Sequence, residues 1–126
     1  MVPSGAEDST VKASSWGRNL RLPAGKRVSL YVTSGAEKGK THVCEQPLVA
    51  IGRGNVDFVL EDPQVSQSHC VVEIMGERIV LRDLGSTNGT YVNGRPVREA
   101  ALEHMSEFRV GDHTIVLLVS PSEAPG

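Results

Sequence analysis

The sequence is poor in cysteine and lacks long apolar runs, and these absences exclude several classes of protein. Cys44 and Cys70 are its two cysteines, and they lie within apolar alternations without CxxC spacing. This pattern favours reduced, partly buried thiols in a cytoplasmic protein, with a disulfide between them as the less favoured alternative. The chain has no apolar run of eighteen residues, and its first residues are polar and acidic, so we predict neither a membrane span nor a signal peptide.

The sequence also lacks an excess of either charge. Its formal net charge is −2, and acidic and basic residues are interspersed along the chain. Without a basic stripe, and with aromatic residues that are scattered rather than grouped for stacking, the chain offers little to nucleic acid. We therefore predict no nucleic-acid partner and no membrane partner.

The 126 residues suffice for one domain with tails. Residues 1–20 are predicted to form a flexible arm, because residues 1–15 are rich in Ser, Gly, Ala and acidic residues and cannot bury much apolar surface. Within this arm, Trp16 and Leu20 are apolar enough to contact the domain. Residues 21–120 are predicted to form the domain itself, and residues 121–126 a loose, Pro-rich tail.

Short runs of alternating apolar residues, separated by turn-forming residues, predict an all-β fold of about ten strands, either a sandwich or a barrel. Asn93-Gly94 favours a two-residue type I′ hairpin turn. Residues 101–105 are too short for a helix without packing support. The predicted strands span residues 27–33, 41–45, 48–52, 57–60, 70–75, 78–84, 90–92, 107–110 and 113–119.

Polar groups concentrate where three of these strands end, within residues 51–94. Arg53 follows the strand that ends at Gly52, so its guanidinium is expected at the rim of the sheet. Two hydroxyl-rich segments, residues 65–69 and 84–90, lie between the following strands. One cation with many neutral donors indicates an anion pocket.

The order and spacing of these segments resemble the forkhead-associated (FHA) domain family over roughly residues 27–119. The resemblance implies a sandwich of two twisted, mostly antiparallel sheets with ten or eleven strands, which binds a phosphothreonine peptide through loops at one edge. The matching motifs are Gly52-Arg53, Ser66-x-x-His69, Ser86-x-Asn88-Gly89, Val92-Asn93-Gly94 and Gly111-Asp112.

The resemblance also implies roles for individual residues. Arg53, Ser66 and Thr87 are similar to the residues that bind phosphate, and Gln67 and Asn88 to residues that contact the peptide. Gln67 departs from the arginine that is common at its position, which removes one charge from the rim. Structural support of the site is implied for four residues: Gly52, His69, Ser86 and Gly89.

Other kinds of site fit the sequence less well. A hydrolase triad of Ser66 or Ser68 with His69 and Asp83 lacks a nucleophile elbow and an oxyanion site. The histidines and cysteines lack the spacing of a metal site, so we predict no metal, no cofactor and no enzymatic activity. Taken singly, Arg53 would be an ordinary surface residue, and Ser66 and Thr87 would be hydroxyls that stabilise turns.

The sequence therefore predicts a non-catalytic reader of phosphothreonine in serine/threonine-kinase signalling, acting as an adaptor or regulatory domain. Its predicted partner is a phosphorylated protein, either a serine/threonine kinase or a kinase substrate. The alternative is a protein-interaction module with the same fold that does not depend on phosphate. A further hypothesis places a phosphorylated Thr10 of the arm in the pocket in cis, where tethering would favour it over other ligands.

Overall fold

A computed structural model of the chain describes residues 19–122, which contain eleven β-strands. The arm through residue 18, with Thr10 and Trp16, and the tail from residue 123 lie outside the described residues. The strands are β1 (Lys26–Ser34), β2 (Thr41–Val43), β3 (Leu48–Gly52), β4 (Phe58–Val59), β5 (Cys70–Met75), β6 (Arg78–Asp83), β7 (Thr90–Val92), β8 (Arg95–Val97), β9 (Glu99–Leu102), β10 (Glu107–Val110) and β11 (His113–Pro121).

The strands form two sheets packed face to face. One sheet has six strands in the order β2-β1-β11-β10-β7-β8, and the other has five in the order β4-β3-β5-β6-β9. The paired strands run antiparallel, except that β3 and β4 are parallel. The prediction of an all-β sandwich is confirmed, and the barrel alternative is wrong.

The core lies between the sheets because each long strand alternates apolar residues toward it. In β5, the side chains of Cys70, Val72 and Ile74 are fully buried against the opposite sheet. In β1, Val28 and Leu30 do the same from the other side. Period-two alternation of this kind is typical of strands that bury one face, and it made these elements predictable from the sequence.

Two strands near the C-terminal third were not assigned from the sequence. In β8 the central residue is Pro96, which is tolerated because β8 is an edge strand of its sheet. The strand β9 has the sequence EAAL, whose residues favour helix, and it is held by pairing with β6. The predicted hairpin between β7 and β8 is confirmed, with positive φ at both Asn93 and Gly94.

Both cysteines are free, and both are more fully buried than the partial burial that the sequence predicted. Burial, together with the nearby Asp57 carboxylate, raises the pKa of the Cys44 thiol to about 11. Burial raises the pKa of the Cys70 thiol to about 12. Both therefore stay protonated and poorly nucleophilic near neutral pH. Across residues 19–122, no helix is long and apolar enough to cross a membrane.

Candidate functional site

The register of the five-stranded sheet brings three loops to one end of the sandwich. Ile51 pairs with Cys70, and Cys70 pairs with Asp83. The end of β3, the start of β5 and the end of β6 therefore lie side by side at one end of the sheet. The loops that leave this end are residues 53–57 (loop A), residues 60–69 (loop B) and residues 84–89 (loop C). The structure therefore brings together the three segments that carry the predicted site residues.

Arg53 is held by its backbone and by the inner part of its side chain, while the side chain as a whole remains exposed. Its backbone N–H donates to the Ser66 carbonyl at 2.9 Å, and its Nε donates to the Val65 carbonyl at 2.9 Å. Within residues 19–122, no carboxylate forms a salt bridge with it. Since a guanidinium has five N–H donors, the terminal nitrogens can still bind an anion.

Loop A can approach loop B this closely because residue 52 is glycine. A Cβ atom at Gly52 would lie 2.2 Å from the backbone oxygen of Gln67, which no side chain could occupy without moving the loop. The next glycine, Gly54, donates its N–H to the same carbonyl at 3.1 Å. A Cβ at Gly54 would also meet the Gln67 side-chain oxygen at 2.3 Å. Gln67 thus lies beside the Arg53 loop, with its own side chain exposed.

Ser66 connects loop B to loop C through its hydroxyl. The Ser66 Oγ accepts a hydrogen bond from the Thr87 backbone N–H at 3.0 Å. A hydroxyl that accepts one bond keeps its own proton to donate, so Ser66 can still bind an anion. The Thr87 and Asn88 side chains are exposed, and Asn88 Nδ2 donates to the Gln64 carbonyl at 2.9 Å. Thr87 and Asn88 therefore lie at the junction of loops B and C.

His69 lies beneath these loops and has no exposed surface. Its Nδ1 accepts from the Ser66 backbone N–H at 3.0 Å, which places the proton of a neutral ring on Nε2. Nε2 then donates to the Gly89 carbonyl at 2.9 Å. Both ring nitrogens are therefore used to join loop B to loop C, and neither bonds to a serine hydroxyl as a hydrolase triad requires.

Asp83 fixes the conformation of loop C. Its carboxylate accepts from the Gly85 N–H (2.8 Å), the Ser86 N–H (3.0 Å), the Ser86 hydroxyl (2.6 Å) and the Thr90 hydroxyl (2.7 Å). Ser86 Oγ in turn accepts from the Gly89 N–H at 2.9 Å. Burial alone would raise the pKa of Asp83, but the bonds from Ser86, Thr90 and Gly85 outweigh it and lower the pKa.

Asp62 has the same role in loop B that Asp83 has in loop C. Its side chain is buried and accepts from the backbone N–H groups of Gln64 and Asp112, both at 2.9 Å. Its Oδ2 also lies 3.4 Å from Nδ1 of the buried His113. Burial would raise the pKa of Asp62, but these hydrogen bonds and His113 together lower it. Loop B is thereby attached to the turn between β10 and β11.

Sequence reasoning missed Asp62, Asp83 and Gly54 as supports of the site. A signal for Asp83 was present, since Asp-x-Gly-Ser is typical of an Asx-turn in which the carboxylate binds the backbone two residues later. Asp62 had no comparable signal for its bond to Asp112, because that contact spans fifty residues of sequence.

An open cavity of about 550 Å³ adjoins the loops on the outer surface of the six-stranded sheet. Gln64, Asn88 and Gly89 form its border with the loops, and Tyr91, Glu107 and Arg109 of β7 and β10 line it beyond them. Arg53, Ser66 and Thr87 are not among its lining residues. The site thus has two parts, a polar loop cluster around Arg53 and a neighbouring groove. In residues 19–122 no cluster of His, Cys, Asp and Glu could hold a metal ion.

These features define a β-sandwich recognition module whose candidate site lies on loops held by buried polar groups. The FHA domain family model matches residues 49–111, a range that contains all three loops. The chain belongs to the FHA domain family.

Two related proteins match most of the chain in sequence. The glycogen accumulation regulator GarA of Mycolicibacterium smegmatis is 36% identical over 101 residues, which cover 79% of this chain and 63% of GarA. The oxoglutarate dehydrogenase inhibitor of Corynebacterium glutamicum is 34% identical over 115 residues, covering 90% of this chain and 78% of the inhibitor. The chain thus spans somewhat less than two thirds of the length of GarA.

Solved FHA domains have the same fold. One whose phosphothreonine-dependent interactions have been analysed superimposes with a TM-score of 0.69 at 35% identity, covering 76% of this chain and 99% of that domain. The FhaA FHA domain, solved in complex with the intracellular domain of Rv3910, gives a TM-score of 0.65 at 36% identity. That match covers 71% of this chain and 98% of the FhaA domain chain.

Proposed function

We propose that this chain is a non-catalytic phosphothreonine-binding module that acts as an adaptor or regulatory domain in serine/threonine-kinase signalling. The observation that carries the proposal is the exposed Arg53 guanidinium, fixed at Nε and free of any carboxylate partner in residues 19–122, beside the Ser66 hydroxyl. The solved relative with phosphothreonine-dependent interactions supports it.

The chemistry of a phosphothreonine suits this arrangement. Its phosphate carries about −1.5 to −2 charges at neutral pH and three strong acceptor oxygens. Arg53 would supply the charge and a pair of parallel donors, and Ser66 and Thr87 would supply hydroxyl donors. Asn88 retains its side-chain oxygen and one amide proton for the peptide backbone, and Gln67 lies where its amide can contact the peptide.

The adjoining cavity extends this proposal along the peptide. Because Asn88 and Gly89 border both the loop cluster and the cavity, a peptide held at its phosphate could place neighbouring residues over Tyr91, Glu107 and Arg109. These side chains present an aromatic ring and charges of both signs, so they would discriminate among flanking residues.

The biological setting follows from the relatives by analogy. GarA and the oxoglutarate dehydrogenase inhibitor are named as regulators of metabolism, and we extend to this chain the regulatory class of function. The proposed partner is a phosphothreonine-bearing kinase or kinase substrate. A cytoplasmic location is proposed with it, since two buried thiols without a disulfide suit a reducing compartment.

A peptide titration tests the proposal. The wild-type chain would be titrated with degenerate phosphothreonine, phosphoserine and unphosphorylated peptide pools, alongside Arg53→Ala and, as a matched control, Arg78→Ala. Arg78 is also exposed but lies at the opposite end of the sandwich, next to the β5–β6 turn. Each hydrogen bond to a charged group contributes roughly 1.5–3 kcal/mol, so Arg53→Ala should weaken binding about tenfold or more.

The outcomes separate the two candidate functions. Binding of phosphothreonine alone, lost in Arg53→Ala and kept in Arg78→Ala, would establish the reader and its pocket. Equal binding of phosphorylated and unphosphorylated pools, or unchanged affinity in Arg53→Ala, would overturn it and favour an interaction module that does not depend on phosphate.

A further inference from the structure

The groove beside the loop cluster has a direction, because it follows two paired strands away from loop C. Thr90 of β7 pairs with Val110 of β10 next to that loop, and Tyr91 pairs with Arg109 one step further from it. Glu107 comes two residues before Arg109 in β10 and lies further again from the loops. Tyr91, Arg109 and Glu107 all line the groove. A ligand that leaves loop C along this groove therefore passes Arg109 before Glu107.

Arg109 and Glu107 project from the same face of β10. The residues that alternate with them, Phe108 and Val110, belong to the core between the sheets. Since successive side chains of a strand point to opposite faces, Arg109 and Glu107 point outward, and both are exposed. The groove thus presents one positive and one negative charge in a fixed order.

Both charges are available to a ligand. Arg109 Nε donates to the Gly111 carbonyl at 3.2 Å, much as Arg53 Nε donates to the Val65 carbonyl at 2.9 Å. Among residues 19–122, neither Arg109 nor Glu107 forms an ion pair, whether with each other or with another side chain. The inner part of the Arg109 side chain is therefore held while its terminal nitrogens keep their donors, and the Glu107 carboxylate keeps its acceptors.

The spacing of the two charges matches an extended peptide. Residues two apart in a strand are separated by about 6.6 Å along its axis, and an extended ligand has the same spacing between side chains on one face. An acidic ligand residue over Arg109 and a basic one two positions further, over Glu107, would meet an opposite charge at each place. In the reverse order, each ligand charge would meet a like charge.

We propose that the groove selects phosphothreonine peptides by the order of their charges, with an acidic residue over Arg109 and, two positions further from the phosphothreonine, a basic residue over Glu107. This inference rests on the proposed function, because the phosphate held by the loops would set the position of the peptide along the groove. From Gly89 at the end of loop C to the level of Arg109 is two residues of β7, about 7 Å. The acidic residue is therefore expected two or three positions from the phosphothreonine.

A pair of peptides with the same composition tests the proposal. In one, aspartate lies two or three positions from the phosphothreonine and lysine two positions beyond it, and in the other the two are exchanged. Each pair is made on the N-terminal and on the C-terminal side of the phosphothreonine, since one of these sides enters the groove. The net charge is equal in all of them, so a difference in affinity reports the order of the charges. Exposed ion pairs are individually weak, so two of them should give about a fivefold preference for the acidic-first peptide on one side.

Substitutions in the groove should change this preference in a predictable direction. The double variant Arg109→Glu, Glu107→Arg keeps the net charge of the protein and should reverse the preference. Arg109→Gln alone should reduce it to less than about twofold, because one of the two ion pairs is lost. Arg27→Gln is the matched control, since Arg27 is an exposed arginine of the same sheet but pairs with Ser120 at the opposite end. It should keep the wild-type preference.

The outcomes separate this inference from the proposed function. Equal affinity for the two charge orders on both sides, or a wild-type preference that persists in the double variant, would overturn the inference while phosphate-dependent binding remained. Arg109→Gln decides the question if the double variant does not fold, because an undiminished preference there would overturn the inference as well. Equal binding of phosphorylated and unphosphorylated peptides would instead overturn the proposed function, and this inference with it.

Discussion

The two ends of the sandwich hold their turns in different ways, and two histidines show the difference. At the end that carries loops A, B and C (the site end), His69 is fully buried and binds the backbone of two loops. At the opposite end (the far end), His104 is exposed and accepts one bond from the Val119 N–H at 2.9 Å. The site end uses buried polar groups to fix irregular backbone, whereas the far end relies on short turns.

The carboxylates at the two ends differ in the same way as the histidines. At the site end, Asp83 accepts from two backbone N–H groups and two hydroxyls, and Asp62 accepts from two backbone N–H groups. Glu77 at the far end is 81% exposed and reaches Lys26 at 3.8 Å, a geometry in which an ion pair contributes little. Because these buried polar groups fix the loops that carry the exposed Arg53 and the half-buried Ser66, binding need not order the loops first.

The largest effect on stability is expected from His69→Ala. This change leaves the Ser66 N–H and the Gly89 carbonyl without their partner in a buried place, at about 1–3 kcal/mol for each such group, so we expect a loss of about 3 kcal/mol. Urea unfolding would measure it, and peptide affinity should fall as well. His104→Ala, the far-end counterpart, should cost about 1 kcal/mol or less. Equal losses of stability in the two variants would contradict the difference proposed between the two ends.

Asp83→Ala should have the next largest effect. It removes the acceptor of four hydrogen bonds, three from loop C and one from Thr90 of β7, and we expect the free energy of unfolding to fall by about 2 kcal/mol. Thermal unfolding would measure this, with Glu77→Ala as the control, whose effect should stay within about 0.5 kcal/mol. An Asp83→Ala protein as stable as Glu77→Ala would contradict the assigned role of the carboxylate.

Lowering the pH should weaken peptide binding before it unfolds the domain. The phosphate takes up its second proton near pH 6, so affinity for phosphothreonine should fall as the pH drops through about 6. Asp62 and Asp83 have pKa values below the usual aspartate value, so their stabilisation is fully present above pH about 4 and is lost as pH falls through their lower folded pKa values. Binding measured beside circular dichroism should show affinity lost while the fold persists. Simultaneous loss would argue against separate causes.

Arg53→Ala should have the smallest effect on folding, within about 0.5 kcal/mol, because its side chain is exposed and contributes one hydrogen bond to loop B. The same variant is expected to have the binding defect described above. Chemical unfolding would check the first statement. A strongly destabilised Arg53→Ala would mean that the arginine supports the loops rather than the ligand.

The long strands were predictable from the sequence because apolar residues that face the core recur at every second position, as at Val28 and Leu30 of β1 and at Val72 and Ile74 of β5. The strand β9 was not, because its helix-favouring residues are overridden by pairing with β6. For the site, the resemblance named Arg53, Ser66, Thr87, Gln67 and Asn88, and their ligand contacts stay predictions. The supports escaped detection when their partners lay far along the chain, as with Asp62 and Asp112.

The most direct test of a rigid anion site at one end is an amide NMR titration of the full-length chain with a phosphothreonine peptide. We predict perturbations that saturate and cluster in residues 52–54, 64–69 and 85–89, with residues 76–78 and 103–106 unchanged. Perturbations centred on the far end, or identical perturbations from the unphosphorylated peptide, would contradict it.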